Sequence, residues 1–202
     1  VGLQLTGDIC RDVPAFLALH ERDKGGHSAA VAAEARRLAT RFGADPDRAE
    51  CAGWLHDISV VWPTAERLAV AQALGVDVLP EEAFFPLILH QKLSVVMAQR
   101  VFGVSDRAVL DAIGCHTTLR TGATLLDKVV FLADKIAWDQ AGLPPYADAV
   151  LAALETAGGR GSLDQAVFAF LDYQWQHRDQ LGVVHPWMAV AREELGQALG
   201  LL

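Results

Sequence analysis

The chain of 202 residues contains only three cysteines, Cys10, Cys51 and Cys115, which lie far apart in the sequence. A small, odd number of widely spaced cysteines argues against a disulfide framework and against a zinc site built from cysteine pairs. The same usage is typical of proteins kept in a reducing compartment. We therefore predict a cytoplasmic protein.

Positive charge and long apolar runs are also scarce. Lys and Arg number 17 against 25 Asp and Glu, and the formal net charge of −8 disfavours broad contact with nucleic acid. Hydrophobic residues make up 52% of the chain, yet no apolar stretch approaches the ~20 residues of a membrane span, and no signal peptide is visible. We expect a soluble protein whose partner is a nucleotide or another phosphorylated small molecule, not a membrane or a nucleic-acid polymer.

Signals for β-strands are nearly absent, since the chain has neither alternating apolar runs nor Asn-Gly turns. Its many Ala and Leu residues favour helix, so the sequence predicts an all-α fold. The length suits one domain, and the flexible-looking linker at residues 158–161 is too short to separate two. Residues 1–202 are predicted to form a single helical domain, in which helices over residues 146–202 pack on a core at about residues 20–140.

Capping residues and helix breakers give the predicted helix boundaries. Asp45-Pro46 indicates the start of a helix that runs to about Val61, and Thr124 caps a helix that runs to about Trp138. Ser105 is predicted to cap a helix over residues 106–115. The other helices are predicted at residues 9–21, 26–42, 64–74, 87–102, 147–157, 163–180 and 186–199, with a short segment from residue 80.

Histidine and aspartate recur within this apolar helical pattern. The residues concerned are His27, the adjacent pair His56-Asp57, His90, His116 and Asp134. Imidazole and carboxylate groups are ligands of divalent metals, and burying several of them in one core is costly unless something compensates. The pattern therefore predicts a metal site and, from it, a metal-dependent hydrolase.

Each of these residues taken alone also has a simpler interpretation. A single histidine such as His27 is more often hydrogen-bonded or at the surface than bound to a metal. Asp134 interrupts an apolar run, where an unpaired carboxylate is expensive, and a salt bridge to Lys135 or to an arginine elsewhere would satisfy it. Both interpretations stay open at this point.

The order of the whole set, His…His-Asp…His…His…Asp on successive helices, resembles the HD superfamily of metal phosphohydrolases. Residues 116–134 are similar to the YqeK family pattern, near His-Thr-x-x-Arg-x-Gly-x-Thr-x-Leu-(acid)-Lys-x-(apolar)-x-x-Ala-Asp, and residues 41–57 also resemble that family. The resemblance implies an HD-domain helical bundle with a dinuclear metal site in its core. It also implies hydrolysis of symmetrical dinucleoside tetraphosphates, such as diadenosine tetraphosphate, to two nucleoside diphosphates with iron or a similar metal.

Carried over residue by residue, the resemblance implies two metal sites that share one aspartate. The first consists of His27, His56, Asp57 and Asp134, and the second of Asp57, His90 and His116. Two such metals would offset charge on the transferring phosphoryl group and acidify water, which gives Asp57 a catalytic role. Lys24 and Arg120 fall where the family carries basic residues, and both are candidate phosphate contacts. The simpler interpretation of each is a solvated surface charge.

The chain departs from the family pattern around the substrate rather than around the metals. Val60 replaces a lysine, Ala137 and Gln140 replace a glutamate and an arginine, and Lys135 stands where the family carries tyrosine. The lost charges concern the choice of substrate more than the hydrolytic chemistry. Two tryptophans near these positions either stack on a base or pack in the core; they are Trp62 and Trp138.

The leading prediction is thus a phosphohydrolase for symmetrical dinucleoside tetraphosphates. Two alternatives stay open: an HD phosphohydrolase for another nucleotide or phosphate ester, and a metal-containing nucleotide-binding module without turnover. Histidine and carboxylate ligands suit iron, manganese, zinc and other metals, and the resemblance favours iron. It also hints at a homodimer.

Overall fold

The computed structural model of the protein describes residues 4–20, 25–138, 140–155 and 160–202. All regular structure in these residues is helical, which confirms the predicted all-α class. The α-helices are α1 (Ile9–Leu19), α2 (Gly25–Phe42), α3 (Pro46–Leu55), α4 (Thr64–Ala73), α5 (Pro80–Phe84), α6 (His90–Arg100), α7 (Arg107–Gly114), α8 (Leu125–Ile136), α9 (Ala147–Glu155), α10 (Arg160–Gln176) and α11 (Pro186–Leu199). Short 3₁₀ helices cover Ile58–Val61, Pro86–Leu89 and Arg178–Gln180.

Two of the three predicted helix caps are confirmed. The Asp45 carboxylate accepts hydrogen bonds from two backbone N–H groups in the first turn of α3, and Thr124 forms a reciprocal capping box with Asp127 at the start of α8. The predicted cap at Ser105 is wrong. Helix α7 begins one residue later than expected, because the Asp106 carboxylate accepts from the N–H of Ala108 at 2.9 Å.

The predicted helix over residues 46–61 is interrupted in the structure. Helix α3 ends at Leu55, Asp57 leaves helical geometry at φ −108° and ψ 15°, and a 3₁₀ helix follows. A second 3₁₀ helix likewise precedes α6, which begins at His90. Candidate ligands therefore lie at helix ends, where side chains from different helices can converge on one point.

Close packing of α2 against α3 and α8 forms the centre of the fold. Gly53 in α3 permits this approach, because a Cβ atom there would lie 2.6 Å from the Cα atom of Ala32 in α2. Helix α8 is apolar on most of its surface, and Phe131 and its neighbours are fully buried. Helix α10 packs on α8, α9 and α11, so the C-terminal helices lie against the ligand-bearing core.

Among the described helices, none combines the length and hydrophobicity that a bilayer crossing requires. The first two residues of the predicted linker, 158 and 159, are outside the described residues. Helix α10 begins directly after them, at Arg160.

Candidate metal centre

The structure brings all six candidate ligands together from five places in the fold. They are His27 in α2, His56 and Asp57 directly after α3, His90 at the start of α6, His116 directly after α7, and Asp134 near the end of α8. The His56 and His116 side chains are buried, and the other four are between 10% and 17% exposed. The donors thus form one polar cluster within an apolar core.

The first half of the cluster surrounds the imidazoles of His27 and His56. Their Nε2 atoms lie 3.3 Å apart, and Oδ1 of Asp134 lies 3.3 Å from the first and 3.5 Å from the second. Oδ2 of Asp57 lies 3.8 Å from Nε2 of His56. His27, His56 and Asp57 can each offer one ligand atom within 4.8 Å of the others.

The second half uses the other oxygen of Asp57. Oδ1 lies 3.5 Å from Nε2 of His90 and 3.7 Å from Nε2 of His116, and these two nitrogens are 3.1 Å apart. Asp57, His90 and His116 form a second set of three donors within 4.8 Å of one another. Because each Asp57 oxygen faces a different set, this carboxylate is placed to be shared between two cations.

Hydrogen bonds fix the tautomers of three of the histidines. Nδ1 of His56, His90 and His116 lies 2.7, 2.6 and 2.8 Å, respectively, from the backbone carbonyl oxygen three residues earlier. A carbonyl only accepts, so the proton of each neutral ring sits on Nδ1 and Nε2 keeps a lone pair. Within the cluster, these Nε2 atoms then face carboxylate oxygens and one another, and all of them are hydrogen-bond acceptors. A bound cation relieves that repulsion, so the donor set fits a divalent metal.

The pKa shifts of Asp57, Asp134, His90 and His116 favour the protonation states that ligation requires. Burial raises the pKa of Asp57, but the surrounding imidazoles outweigh it and hold this pKa below its usual range. The pKa of Asp134 is also lowered, because Lys135 and two imidazoles outweigh the effect of burial. Burial lowers the pKa of His90 to about 4 and also lowers that of His116. His56 differs: burial lowers its pKa, but Asp57 and Asp134 outweigh that effect and raise it.

Comparison with known proteins assigns this arrangement. The model of the HD domain matches residues 25–139, the stretch that carries all six candidate ligands. The chain belongs to the HD-domain family. The predicted relationship is confirmed, and with it the assignment as a metal-dependent phosphohydrolase.

Individual relatives agree with the family match. A Lactococcus lactis subsp. cremoris protein described as an uncharacterized protein in the pepC 5' region is 41% identical over 148 residues, which cover 73% of this chain and 72% of that protein. The symmetrical bis(5'-nucleosyl)-tetraphosphatase of Bacillus subtilis (strain 168) is 38% identical over 112 residues, which cover 54% of this chain and 59% of that enzyme, less than two thirds of its length.

A solved structure matches over nearly the whole chain. It is the predicted HD superfamily hydrolase involved in NAD metabolism from Clostridium acetobutylicum, with a TM-score of 0.82 and 26% sequence identity. The match covers 98% of this chain and 100% of that one. The helices beyond the HD core, including α9 to α11, are therefore shared with that hydrolase.

A cavity of about 480 Å³ adjoins the HD cluster at His90. Most of the other wall residues lie far beyond His90 in the sequence. Many wall residues are aromatic, including Phe85, Trp138, Tyr146, Phe170 and Tyr173. The sequence did not reveal this cavity, because its wall joins residues from separate helices and loops. Trp138, one of the two tryptophans considered for stacking, lies in the wall, whereas Trp62 packs against the hydrophobic clusters.

The sequence did not identify several polar side chains that lie next to the candidate ligands. The Thr117 hydroxyl lies 2.9 Å from Nε2 of His90, and the Gln91 amide holds the neighbouring loop through Thr118. Lys135, predicted only as a salt-bridge partner of Asp134, also lines the cavity. Its ammonium lies 2.6 Å from Oδ2 of Asp134, so this carboxylate pairs with the lysine through one oxygen and faces the histidines with the other.

The two predicted phosphate contacts stay predictions. Lys24 lies outside the described residues. Arg120 lies 2.9 Å from Oδ2 of the buried Asp127 and 3.2 Å from Asp111. It lines two other depressions rather than the aromatic cavity. A phosphate contact at Arg120 therefore has to compete with two carboxylates.

Proposed function

We propose that the protein hydrolyses symmetrical dinucleoside tetraphosphates to two nucleoside diphosphates. The observation that carries the proposal is the shared carboxylate of Asp57 between two three-donor sets, directly beside an aromatic cavity. The relative from Bacillus subtilis, a symmetrical bis(5'-nucleosyl)-tetraphosphatase, supports it. Product analysis on the purified protein tests it.

In this proposal the six donors hold two divalent cations, with iron as the leading candidate. His27, His56, Asp57 and Asp134 hold one, and Asp57, His90 and His116 hold the other. When bound, such cations neutralise charge on phosphoryl oxygens and acidify water. The protein's own contribution is to fix the donors, since three of the rings are locked by backbone carbonyls.

The aromatic cavity is suited to one nucleoside. Bases stack on aromatic rings, and about 480 Å³ is within the range of ligand pockets. A symmetrical substrate presents the same half from either end, so one such cavity beside the donor cluster can receive either half. Water then adds to one of the two central phosphorus atoms, the central phosphoanhydride bond breaks, and two nucleoside diphosphates leave.

The second candidate is hydrolysis of another nucleotide by the same centre. It is favoured by the replaced residues of the substrate shell, Val60, Ala137 and Gln140. Gln140 is exposed, and Val60 and Ala137 are half-buried. A homodimer and a cytoplasmic location complete the proposal, and light scattering of the purified protein tests the first.

The decisive experiment combines elemental analysis with product identification. The purified protein is analysed for bound metal and then incubated with diadenosine tetraphosphate and a panel of nucleotides. We expect ADP as the only nucleotide product from the tetraphosphate. ATP and AMP in equal amounts would contradict symmetrical cleavage, and a clearly better substrate in the panel would favour the second candidate.

A matched pair of histidine variants shows whether the activity belongs to this centre. His56→Ala removes a buried donor, whereas His20→Ala removes an exposed ring that contacts Phe16 outside the cluster. We expect the first variant to lose metal and hydrolysis together and the second to keep both. Hydrolysis that survives in His56→Ala would come from another source.

A further inference from the structure

Lys135 lies at the border between the donor cluster and the aromatic cavity. Its ammonium is 2.6 Å from Oδ2 of Asp134 and 3.3 Å from the backbone carbonyl of His116. The side chain is only 13% exposed. Lys135 is the one Lys or Arg among the described residues that line this cavity.

The hydrogen bonds of Lys135 are incomplete. An ammonium has three N–H donors, and the described residues give partners to two of those of Lys135. The remaining faces of the group are near the rings of Phe131 and Phe170, at 5.2 and 5.6 Å from their centroids. One charged donor thus stays available beside the cavity.

A second donor in the same wall also lacks a partner. The indole N–H of Trp138 is buried and has no hydrogen-bond acceptor in the described part of the chain. Buried donors are normally satisfied, and leaving one without a partner costs about 1–3 kcal/mol. Two such donors, three residues apart in the sequence and in one cavity wall, indicate a ligand that brings acceptor oxygens.

We propose that Lys135 binds a phosphate oxygen of the substrate and thereby determines its specificity, with the Trp138 N–H as a second donor. The proposal rests on the proposed nucleotide hydrolysis and names a contact within it. Lys135 brings one positive charge to the cavity side of the candidate metal centre.

The test measures binding to the metal-loaded protein rather than turnover alone. Calorimetry with ADP, adenosine and inorganic pyrophosphate is performed on wild type, Lys135→Met and Lys135→Arg. Lys128→Met is the matched control, because Lys128 lies in the same helix, is 17% exposed and pairs with Asp164 at 2.8 Å. Bound metal and the melting temperature are measured for each variant.

We expect Lys135→Met to weaken ADP and pyrophosphate binding about tenfold or more, as for loss of a charge-assisted hydrogen bond. Adenosine binding, metal content and the Lys128→Met control should stay at wild-type values, and Lys135→Arg should recover most of the affinity for ADP. Unchanged ADP and pyrophosphate binding in Lys135→Met would overturn the proposal. A loss that runs parallel to a loss of metal would also overturn it, because Lys135 would then only position Asp134.

The pyrophosphate and adenosine arms separate this inference from the proposed function. If wild type binds pyrophosphate through Lys135 but neither ADP nor adenosine, the phosphate contact stands and nucleotide hydrolysis fails. If adenosine is weakened as much as ADP in Lys135→Met, the lysine shapes the cavity and the phosphate contact is wrong. If Lys135→Met does not fold, the Lys135→Arg and Trp138→Phe variants decide. Trp138→Phe removes the N–H donor but keeps an aromatic ring in the cavity wall, so it should weaken ADP binding more than adenosine binding.

Discussion

Two buried clusters among the described residues contain histidine and carboxylate. In one of them Nδ1 of the histidine accepts a hydrogen bond from the backbone, and in the other Nδ1 donates one. In the first of these clusters Glu82, fully buried, accepts from Lys92 at 2.7 Å and from the N–H of Leu79 at 2.8 Å. Nδ1 of His185 accepts from a backbone N–H, so its Nε2 carries the proton and donates to Glu82 at 3.3 Å. Every interaction pairs a donor with an acceptor, and the cluster is complete without a ligand.

In the candidate metal centre the hydrogen bonds of the histidines run in the opposite direction. The rings of His56, His90 and His116 donate from Nδ1 to carbonyl groups, which leaves their Nε2 atoms as acceptors beside the carboxylates. Composition alone does not distinguish the two clusters, since both hold histidine and acid in an apolar surrounding. The backbone contacts Nδ1 in both clusters: a carbonyl group there leaves Nε2 as an acceptor that suits a metal, whereas an N–H group there leaves Nε2 as a donor that suits an ion pair.

The largest expected effect follows from substituting the shared carboxylate. Asp57→Asn keeps the shape but removes the charge from both donor sets, so we expect metal content to fall and kcat to drop by more than about a hundredfold, the upper range for loss of an outer-shell partner. The control is Asp164→Asn, which breaks only the partly exposed pair with Lys128. Full metal content in Asp57→Asn would contradict the shared position.

The second largest expected effect is the loss of thermal stability on metal removal. A ligand that binds only the folded state at a hundred times its Kd stabilises that state by about 2.7 kcal/mol, which corresponds to about 5–10 °C in Tm for a chain of this size. Chelation should lower Tm by that order, and added metal should restore it. An unchanged Tm after verified removal would mean that the donors satisfy one another, as those of the Glu82 cluster do.

The contribution of the Glu82 cluster to the free energy of unfolding should depend on pH and not on bound metal. Burial raises the pKa of Glu82, but hydrogen bonds from His185, Lys92 and Leu79 outweigh it and lower the pKa below that of an unfolded chain. The unfolded state therefore binds more protons, so this stabilisation is complete above the ordinary glutamate pKa and is lost as pH falls through the lowered value. Glu82→Gln should destabilise the protein by about 1–3 kcal/mol at pH 7.

The control for this prediction is the behaviour of the candidate metal centre in the Glu82→Gln variant. Glu82→Gln should keep its metal and its chelation-dependent change in Tm, and its free energy of unfolding should depend less on pH below 5 than that of wild type. Denaturant titrations at several pH values measure both quantities. Loss of metal in Glu82→Gln would show that the two clusters are coupled and would contradict the comparison.

The sequence was sufficient for the fold class and for naming six candidate ligands that the structure brings together, because His and Asp within an apolar helical pattern are expensive and therefore informative. It was not sufficient for the helix breaks at Asp57 and before His90. The apolar pattern continues through both, and only the packing of neighbouring helices shows where the backbone turns. Those breaks matter because they let donors from separate helices converge.

The aromatic cavity shows the other limit of sequence reasoning. Phe85, Tyr146 and Tyr173 lie far apart in the chain, and no local pattern relates them before the C-terminal helices are placed on the core. Lys135 was visible as a neighbour of Asp134, but its second role depends on this cavity wall. Local chemistry could be predicted from the sequence, whereas the shape of the substrate side required tertiary contacts.

The smallest expected effect concerns the charges that the chain lacks relative to its family. Val60→Lys and Gln140→Arg would each return one cation, but Gln140 is exposed and neither residue lines the aromatic cavity. Exposed charges are screened and contribute about 0–1 kcal/mol, so we expect kcat/KM for diadenosine tetraphosphate to rise by less than about tenfold in either variant.

Val60→Leu and Gln140→Glu are the matched controls: the first should be neutral and the second should lower kcat/KM if charge is the cause. A gain well above tenfold would place the phosphates near residues 60 and 140 rather than beside Lys135, whereas no gain in either variant would mean that Lys135 and the metal centre already supply the charge that the substrate needs.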